Sequence, residues 1–155
     1  NTGFTSVNSG AAFTGSRGAE FGPVGSVGGI TQSVLTTAGQ TYSISFDLAG
    51  GTGEGVGTNF YNVLFGATSL VSASNAAPFG YTHFSTTAVA AGASTLLSFN
   101  FRNDPDFFRL DNVSVMAVRG TGAVPEPATW AMMLIGFGAI GVSLRRRCGA
   151  IALAA

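Results

Sequence analysis

His83 is the one histidine of this 155-residue chain and Cys148 its one cysteine, so any scheme of nucleophilic or proton-transfer chemistry has very few groups to use. A Ser-His-Asp arrangement would have to be built on His83, which falls on a predicted strand among polar neighbours with no Gly-x-Ser-x-Gly elbow elsewhere. Asp104 and Asp106 flank Pro105 in Arg102-Asn103-Asp104-Pro105-Asp106. A glycosidase pair would need carboxylates about 5 to 9.5 Å apart across a sugar, whereas Asn, Asp and Pro together are ordinary turn composition, and a turn is expected here. Two glycine-rich stretches imitate nucleotide sites. Gly136-Phe137-Gly138-Ala139-Ile140-Gly141 satisfies G-x-G-x-x-G, but it lies inside an apolar run with no preceding strand and no acidic residue downstream. Gly50 to Gly57 lacks the Lys-Ser/Thr of a phosphate loop and is expected to be a mobile connection. Asn112-Val113-Ser114 fits a glycosylation sequon but sits in a predicted strand, and it carries no weight. The residues therefore predict a protein that is not an enzyme.

The strongest pattern lies near the C-terminus. Val124-Pro125-Glu126-Pro127 precedes an uncharged run from Ala128 to Leu144, closed by Arg145-Arg146-Arg147. At about 1.5 Å per residue that run makes a helix of roughly 25 Å, slightly short of a hydrocarbon core of about 30 Å. Trp130 falls where an interfacial aromatic would lie, and the arginines can snorkel to lengthen the effective span. Gly136 and Gly138 are small residues that let helices pack closely in lipid. The positive-inside rule puts Arg145, Arg146 and Arg147 on the cytoplasmic side and everything before Pro125 on the other. A single transmembrane-type helix is expected.

Those residues bear a resemblance. Pro125-Glu126-Pro127, then Ala128-Thr129-Trp130-Ala131-Met132-Met133-Leu134, then Gly136-Phe137-Gly138 and the triple arginine, resemble the PEP-CTERM sorting signal of Gram-negative bacteria. The resemblance covers residues 124 to 147 and implies recognition by an exosortase, a membrane-embedded cysteine transpeptidase-like enzyme. It further implies an inner-membrane-anchored precursor that is released to the cell surface or to an exopolysaccharide or biofilm matrix. Cys148 to Ala155 extend past the arginines, where the family usually ends sooner.

Composition agrees with export. Charged residues are 9% of the chain, glycine numbers 23, and the formal net charge is zero, which leaves no electrostatic footprint for nucleic acid. Cys148 falls on the expected cytoplasmic side, so the exported part has no disulfide framework. The stretch from Asn1-Thr2 has no Met and no charged n-region or apolar h-region, so the signal peptide that export requires is expected either to have been removed or to lie outside a fragment.

Residues 1–119 read as one all-β domain, 120–124 as a linker, 125–147 as sorting signal and membrane helix, and 148–155 as a short tail. The clearest strand is Thr41 to Leu48, where Tyr42, Ile44, Phe46 and Leu48 alternate with Thr41, Ser43, Ser45 and Asp47. Further strands are predicted near Ile30 to Thr36, Asn59 to Phe65, Thr82 to Val89, Thr95 to Arg102 and Phe108 to Val118, at the short spacing of a two-sheet sandwich. Ala38-Gly39-Gln40-Thr41-Tyr42-Ser43-Ile44-Ser45-Phe46 is echoed by Ala91-Gly92-Ala93-Ser94-Thr95-Leu96-Leu97-Ser98-Phe99, which suggests the same turn-to-strand chemistry used once in each of two packed sheets. In the last strand Phe108 and Leu110 keep one phase of the period-two pattern and Val113, Val115 and Ala117 the other. A bulge between Leu110 and Val113 is expected, aiming Asp111.

A second resemblance spans residues 18 to 118. Gly29-Ile30-Thr31-Gln32-Ser33-Val34, Gly39-Gln40-Thr41-Tyr42-Ser43-Ile44-Ser45-Phe46-Asp47-Leu48-Ala49 and Leu110-Asp111-Asn112-Val113-Ser114-Val115 are similar to the galactose-binding-like jelly rolls of carbohydrate-binding modules. The resemblance implies an antiparallel jelly-roll sandwich, often with a structural calcium, for which the matching positions are Glu20 and Asp111. Two functions remain open: a non-catalytic surface or matrix protein, or a module that recognises polysaccharide through exposed aromatics such as Tyr61, Phe79, Tyr81 or Phe107.

Overall fold

The computed structural model describes residues 4–50, 58–104, 106–118, 132–135 and 137. The chain divides into two compact units, Asn1–Val118 and Arg119–Ala155. In the first, the described residues form strands β1 (Thr5–Asn8), β2 (Gly18–Phe21), β3 (Gly28–Leu35), β4 (Thr41–Gly50), β5 (Asn59–Phe65), β6 (Thr68–Ser74), β7 (Phe79–Val89), β8 (Ser94–Asn103) and β9 (Phe108–Ala117). They make a five-stranded sheet ordered β1-β2-β9-β4-β7 and a four-stranded sheet ordered β3-β8-β5-β6. Every pairing is antiparallel. This is an all-β, two-sheet architecture of the jelly-roll kind.

Period-two alternation explains how the sheets meet. On β4 the apolar phase, Tyr42, Ile44, Phe46 and Leu48, is buried, and on β8 Leu97, Phe99 and Phe101 are buried likewise. The two echoed segments lie in different sheets, each on an interior strand. Their equivalent phenylalanines meet between the sheets: the Phe46 and Phe99 rings stand edge to face, centroids 5.3 Å apart and planes at 90°. Around them Phe21 stacks on Phe101 at 4.8 Å, Phe46 on Phe84 at 5.2 Å, and Tyr61 meets Phe108 edge-on at 5.5 Å. Rings thus fill most of the space between the sheets.

The expected bulge in the last strand is present. Ser45 pairs with Ser114 while Asp47 pairs with Asp111, so β9 carries one residue more than β4 over that interval, and Asn112 absorbs it at φ 51°. Asparagine tolerates this left-handed conformation better than most non-glycine residues. Strands β1, β2 and β6 were not predicted. β1 and β2 have four residues each, and the Ser-rich Thr68–Ser74 has no strong apolar alternation; partners rather than propensity make them strands. The β5–β6 hairpin turns through Gly66 and Ala67, with Gly66 at φ 61°.

In the second unit, Met132, Met133, Leu134, Ile135 and Phe137 are helical and exposed. Among the described residues no helix is long and apolar enough to cross a membrane. The expected span from Ala128 to Leu144 otherwise lies outside the described residues, as do Pro125, Glu126, Pro127, Trp130, Gly136, Gly138 and Arg145 to Arg147, and most of the loop from Gly50 to Gly57.

The edge-to-face pair gives a direct test of the core. Phe46→Ala and Phe99→Ala are each expected to cost about 3–5 kcal/mol in urea unfolding followed by circular dichroism. The double variant should cost less than the sum by about 1 kcal/mol, the coupling of an aromatic pair. Strict additivity would place the two rings in separate environments.

Candidate functional site

With the apolar phase of β4 turned inward, its other phase faces outward from the five-stranded sheet, and Asp47 is there. It is nevertheless 5% exposed, because side chains from both neighbouring strands close over it. In register, Asp47 lies opposite His83 of β7 on one side and Asp111 of β9 on the other. Asp47 Oδ1 is 2.9 Å from His83 Nδ1, and Asp47 Oδ2 accepts from Asn112 Nδ2 at 2.7 Å. Thr14 Oγ1 in turn donates to Asn112 Oδ1 at 2.5 Å. A buried carboxylate bonded to Nδ1 holds the imidazole in one orientation and leaves Nε2 facing water, the His83 side chain being 60% exposed. Among the described residues no Ser or Cys side chain bonds that outer nitrogen, so the pair lacks the nucleophile of a hydrolytic triad.

The loop between β1 and β2 folds over this face. Asp111 Oδ2 accepts from the backbone N–H of Phe13 at 2.8 Å and of Thr14 at 3.0 Å, and Oδ1 accepts from Asn112 N–H at 2.8 Å. These bonds, the Thr14 amide foremost, hold the Asp111 carboxyl below its ordinary value against a smaller opposing effect of burial. Tyr81 Oη donates to the Ala11 carbonyl, and the Phe13 and Tyr81 rings stack with centroids 4.7 Å apart. Burial, then the negative charges of Asp111, Glu20 and Asp47, raise the Tyr81 phenol, with Arg109 opposing. The loop passes so close to the sheet that a Cβ at Gly18 would lie 1.7 Å from the Ala11 carbonyl oxygen, so only glycine fits there.

Glu20 and Asp111 do not fit a calcium ion. Glu20 Oε1 accepts from Arg109 Nε at 3.2 Å and Oε2 from Asn8 Nδ2 at 3.0 Å, and both Asp111 oxygens face backbone N–H groups. Calcium takes six to eight oxygen ligands, whereas N–H donors occupy these carboxylates. Among the described residues no group of three or more His, Cys, Asp or Glu side chains is placed to hold a metal.

Nor do the four expected sugar-facing aromatics share a surface role. Tyr61 is 7% exposed and Phe79 packs against the core beside it, so both belong to the interior. Phe107 is half-buried near Gly22, where an added Cβ would lie 2.6 Å from its ring. Tyr81 alone of the four reaches the outer face of the five-stranded sheet, and its partner Phe13 went unnoticed in the sequence because it precedes any predicted strand. Asp104 is part of a turn: its Oδ2 accepts from Arg102 Nε and Nη2 at 3.0 and 2.7 Å, and Gly25 N–H reaches Oδ1 at 3.2 Å. The Arg102 bond holds its carboxyl below the ordinary value. Asp106 Oδ1 accepts from Phe107 N–H at 2.7 Å.

The class this geometry defines is an all-β jelly-roll sandwich with a polar and aromatic outer face, followed by a separate C-terminal unit. That unit carries a recognised address: residues 123–147 match the PEP-CTERM protein-sorting motif. The motif implies an exported, membrane-anchored precursor processed by an exosortase. The CBM22-1–GH10 modules of Clostridium thermocellum endo-1,4-beta-D-xylanase 10B, solved with xylohexaose, are similar in structure at 16% identity and TM-score 0.55, over 76% of this chain and 25% of that one. A Stig cyclase from Fischerella sp. TAU is similar at 18% identity and TM-score 0.51, over 70% of this chain and 66% of the cyclase. Likeness at these identities concerns the fold. No curated protein sequence matches the chain.

Asp111 should make the loop sensitive to acid. Because its folded pKa is depressed, the stability it contributes is present above the ordinary aspartate value of about 4 and is lost as pH falls through the folded value. Asp111→Asn should therefore melt below wild type at pH 7, with the gap closing below about pH 4. A gap independent of pH would show that the carboxylate charge is not what holds the loop.

Proposed function

We propose that this chain is an exported surface or extracellular-matrix protein of a Gram-negative bacterium, non-catalytic, delivered through its C-terminal signal by an exosortase. The observation that carries the proposal is the PEP-CTERM match over residues 123–147. The order Pro125-Glu126-Pro127, apolar run, triple arginine is that of a segment a processing enzyme at the membrane must bind. The inner membrane would hold the precursor until that step, and exopolysaccharide is the expected companion of the mature form. The reading of a non-catalytic role draws on the carboxylates: Glu20, Asp47, Asp104, Asp106 and Asp111 each accept at least one bond from a neighbouring N–H donor, and among the described residues no Ser or Cys hydrogen bond to His83 is formed.

A second reading, a carbohydrate-binding module for a polysaccharide, is favoured by one observation. Phe13 and Tyr81 form an aromatic pair on the same sheet face as the His83–Asp47–Asn112 network. Binding of the full chain to a glycan array would support the module, and its absence would leave the surface-protein reading alone.

Processing is tested in the native host. Mass spectrometry of the surface-extracted protein should recover chains that end before Arg145, and replacing Pro125, Glu126 and Pro127 with alanine should leave the precursor uncut in the membrane. Replacing Arg145, Arg146 and Arg147 with uncharged residues should impair retention or processing, since the cytoplasmic stop is lost. Recovery of intact chain through Arg147 as the sole mature form would refute the proposal.

A further inference from the structure

We propose that the outer face of the five-stranded sheet binds an uncharged saccharide, one sugar ring lying on Phe13 and its hydroxyls bonding to His83 Nε2 and the Asn112 amide. This deepens the carbohydrate-binding reading above and rests on it.

Phe13 is 51% exposed although one side of its ring is stacked on Tyr81, so the rest of the ring is open to water. An exposed ring of this kind is normally mobile, and here it is not free to be. The amide of Phe13 is fixed by Asp111, that of Thr14 by the same oxygen, and the Tyr81 hydroxyl holds Ala11 on the other side. Such preorganisation lowers the entropy lost when a ligand stacks. The C–H face of a pyranose suits an aromatic surface that has little else to offer.

The polar half of the patch is fixed as firmly. Tyr81 and His83 are two residues apart on β7, hence on one face and about 7 Å apart along the strand. Thr14, the residue after Phe13, bonds Asn112, Asn112 bonds Asp47, and Asp47 bonds His83, so one unbroken chain of hydrogen bonds runs from the Thr14 hydroxyl to the imidazole. With Nδ1 bonded to Asp47, His83 keeps Nε2 for a ligand hydroxyl, and Asn112 keeps a second amide hydrogen after its bond to Asp47. Two hydrogen-bonding groups at fixed positions beside a stacking surface match the vicinal hydroxyls of a sugar, each of which can donate or accept.

Charge narrows the class. Asp47 and Asp111 lie side by side in register on this face, and Glu20 is paired with Arg109; at the Tyr81 hydroxyl the carboxylates' negative charge is opposed by Arg109. A uronic or sulfated polymer would meet net negative charge there, while a neutral one would not.

Isothermal titration of the full chain in detergent separates the possibilities, with hexasaccharides of xylose, glucose, mannose and galactose as probes and a hexuronate beside them. The expected result is binding of at least one neutral hexasaccharide, with none of the hexuronate. Phe13→Ala and His83→Ala should each weaken it about tenfold, His83→Gln should recover part of the loss, and Phe107→Ala should leave affinity unchanged. Melting curves equal to wild type show that the variants keep the fold. Neutral-sugar binding that survives both Phe13→Ala and His83→Ala would overturn this site and leave the carbohydrate-binding reading standing. Preference for the hexuronate would overturn the assigned class. Failure of the wild-type chain to bind any neutral probe would overturn the reading and the site together.

Discussion

Two phenylalanines meeting edge to face between the sheets set the constraint from which the rest of the sandwich follows. Once Phe46 and Phe99 point at each other, the phase of β4 and of β8 is decided, because a one-residue slip would put Ser45 or Asp47 on β4, or Ser98 or Asn100 on β8, where a ring now sits. The phase of β4 then decides the outer face. Asp47 must point away from the core, and antiparallel register brings it between His83 and Asp111. The polar network is therefore a consequence of apolar packing on the opposite side of the same strand. Changes in the core that shift β4 would dismantle the network without touching any of its members.

The extra residue in β9 links the two faces. Phe108 and Leu110 are buried, and beyond Asn112 the strand resumes in the other phase, Val115 lying opposite Ile44 and packing against the core. Placed without the bulge, Asp111 and Asn112 could not both serve the outer face, since neighbours on a regular strand point to opposite sides. With Asn112 at positive φ, Asp111 anchors the loop through its carboxylate while Asn112 bonds Asp47 and Thr14.

What the sequence made legible follows the strength of local pattern. Strict alternation marked β4, and the boundaries of β5 at Asn59 and Phe65 agree with the structure. The phase change placed the bulge within two residues of Asn112. The Gly39 and Gly92 echoes foretold a strand in each sheet. Nothing local marked β1 or β2, whose residues become strands through pairing with β9 and with each other. The site was less legible for the same reason. His83 and Asp47 are 36 positions apart and Asp111 and Phe13 are 98 apart, so neither pairing leaves a trace in spacing. One clue was present: Asp47 is the lone charge on the polar phase of the most regular strand. Exposure of the aromatics could not be inferred either, because Tyr61 and Tyr81 occupy similar strand contexts and only the sheet packing sends one inward and the other out.

β9 is the strand from which the chain continues toward its sorting signal, bonded to β4 over Phe108–Ala117 and to β2 over Phe108–Leu110. Whatever grips the tail pulls on this strand first. Tension applied along β9 from its C-terminal end therefore loads the β4 ladder first, from Ala117 inward, and reaches the β2 ladder only at Leu110. The bulge at Asn112 lies between the two regimes, so the strand passes from one ladder to two just where its phase changes.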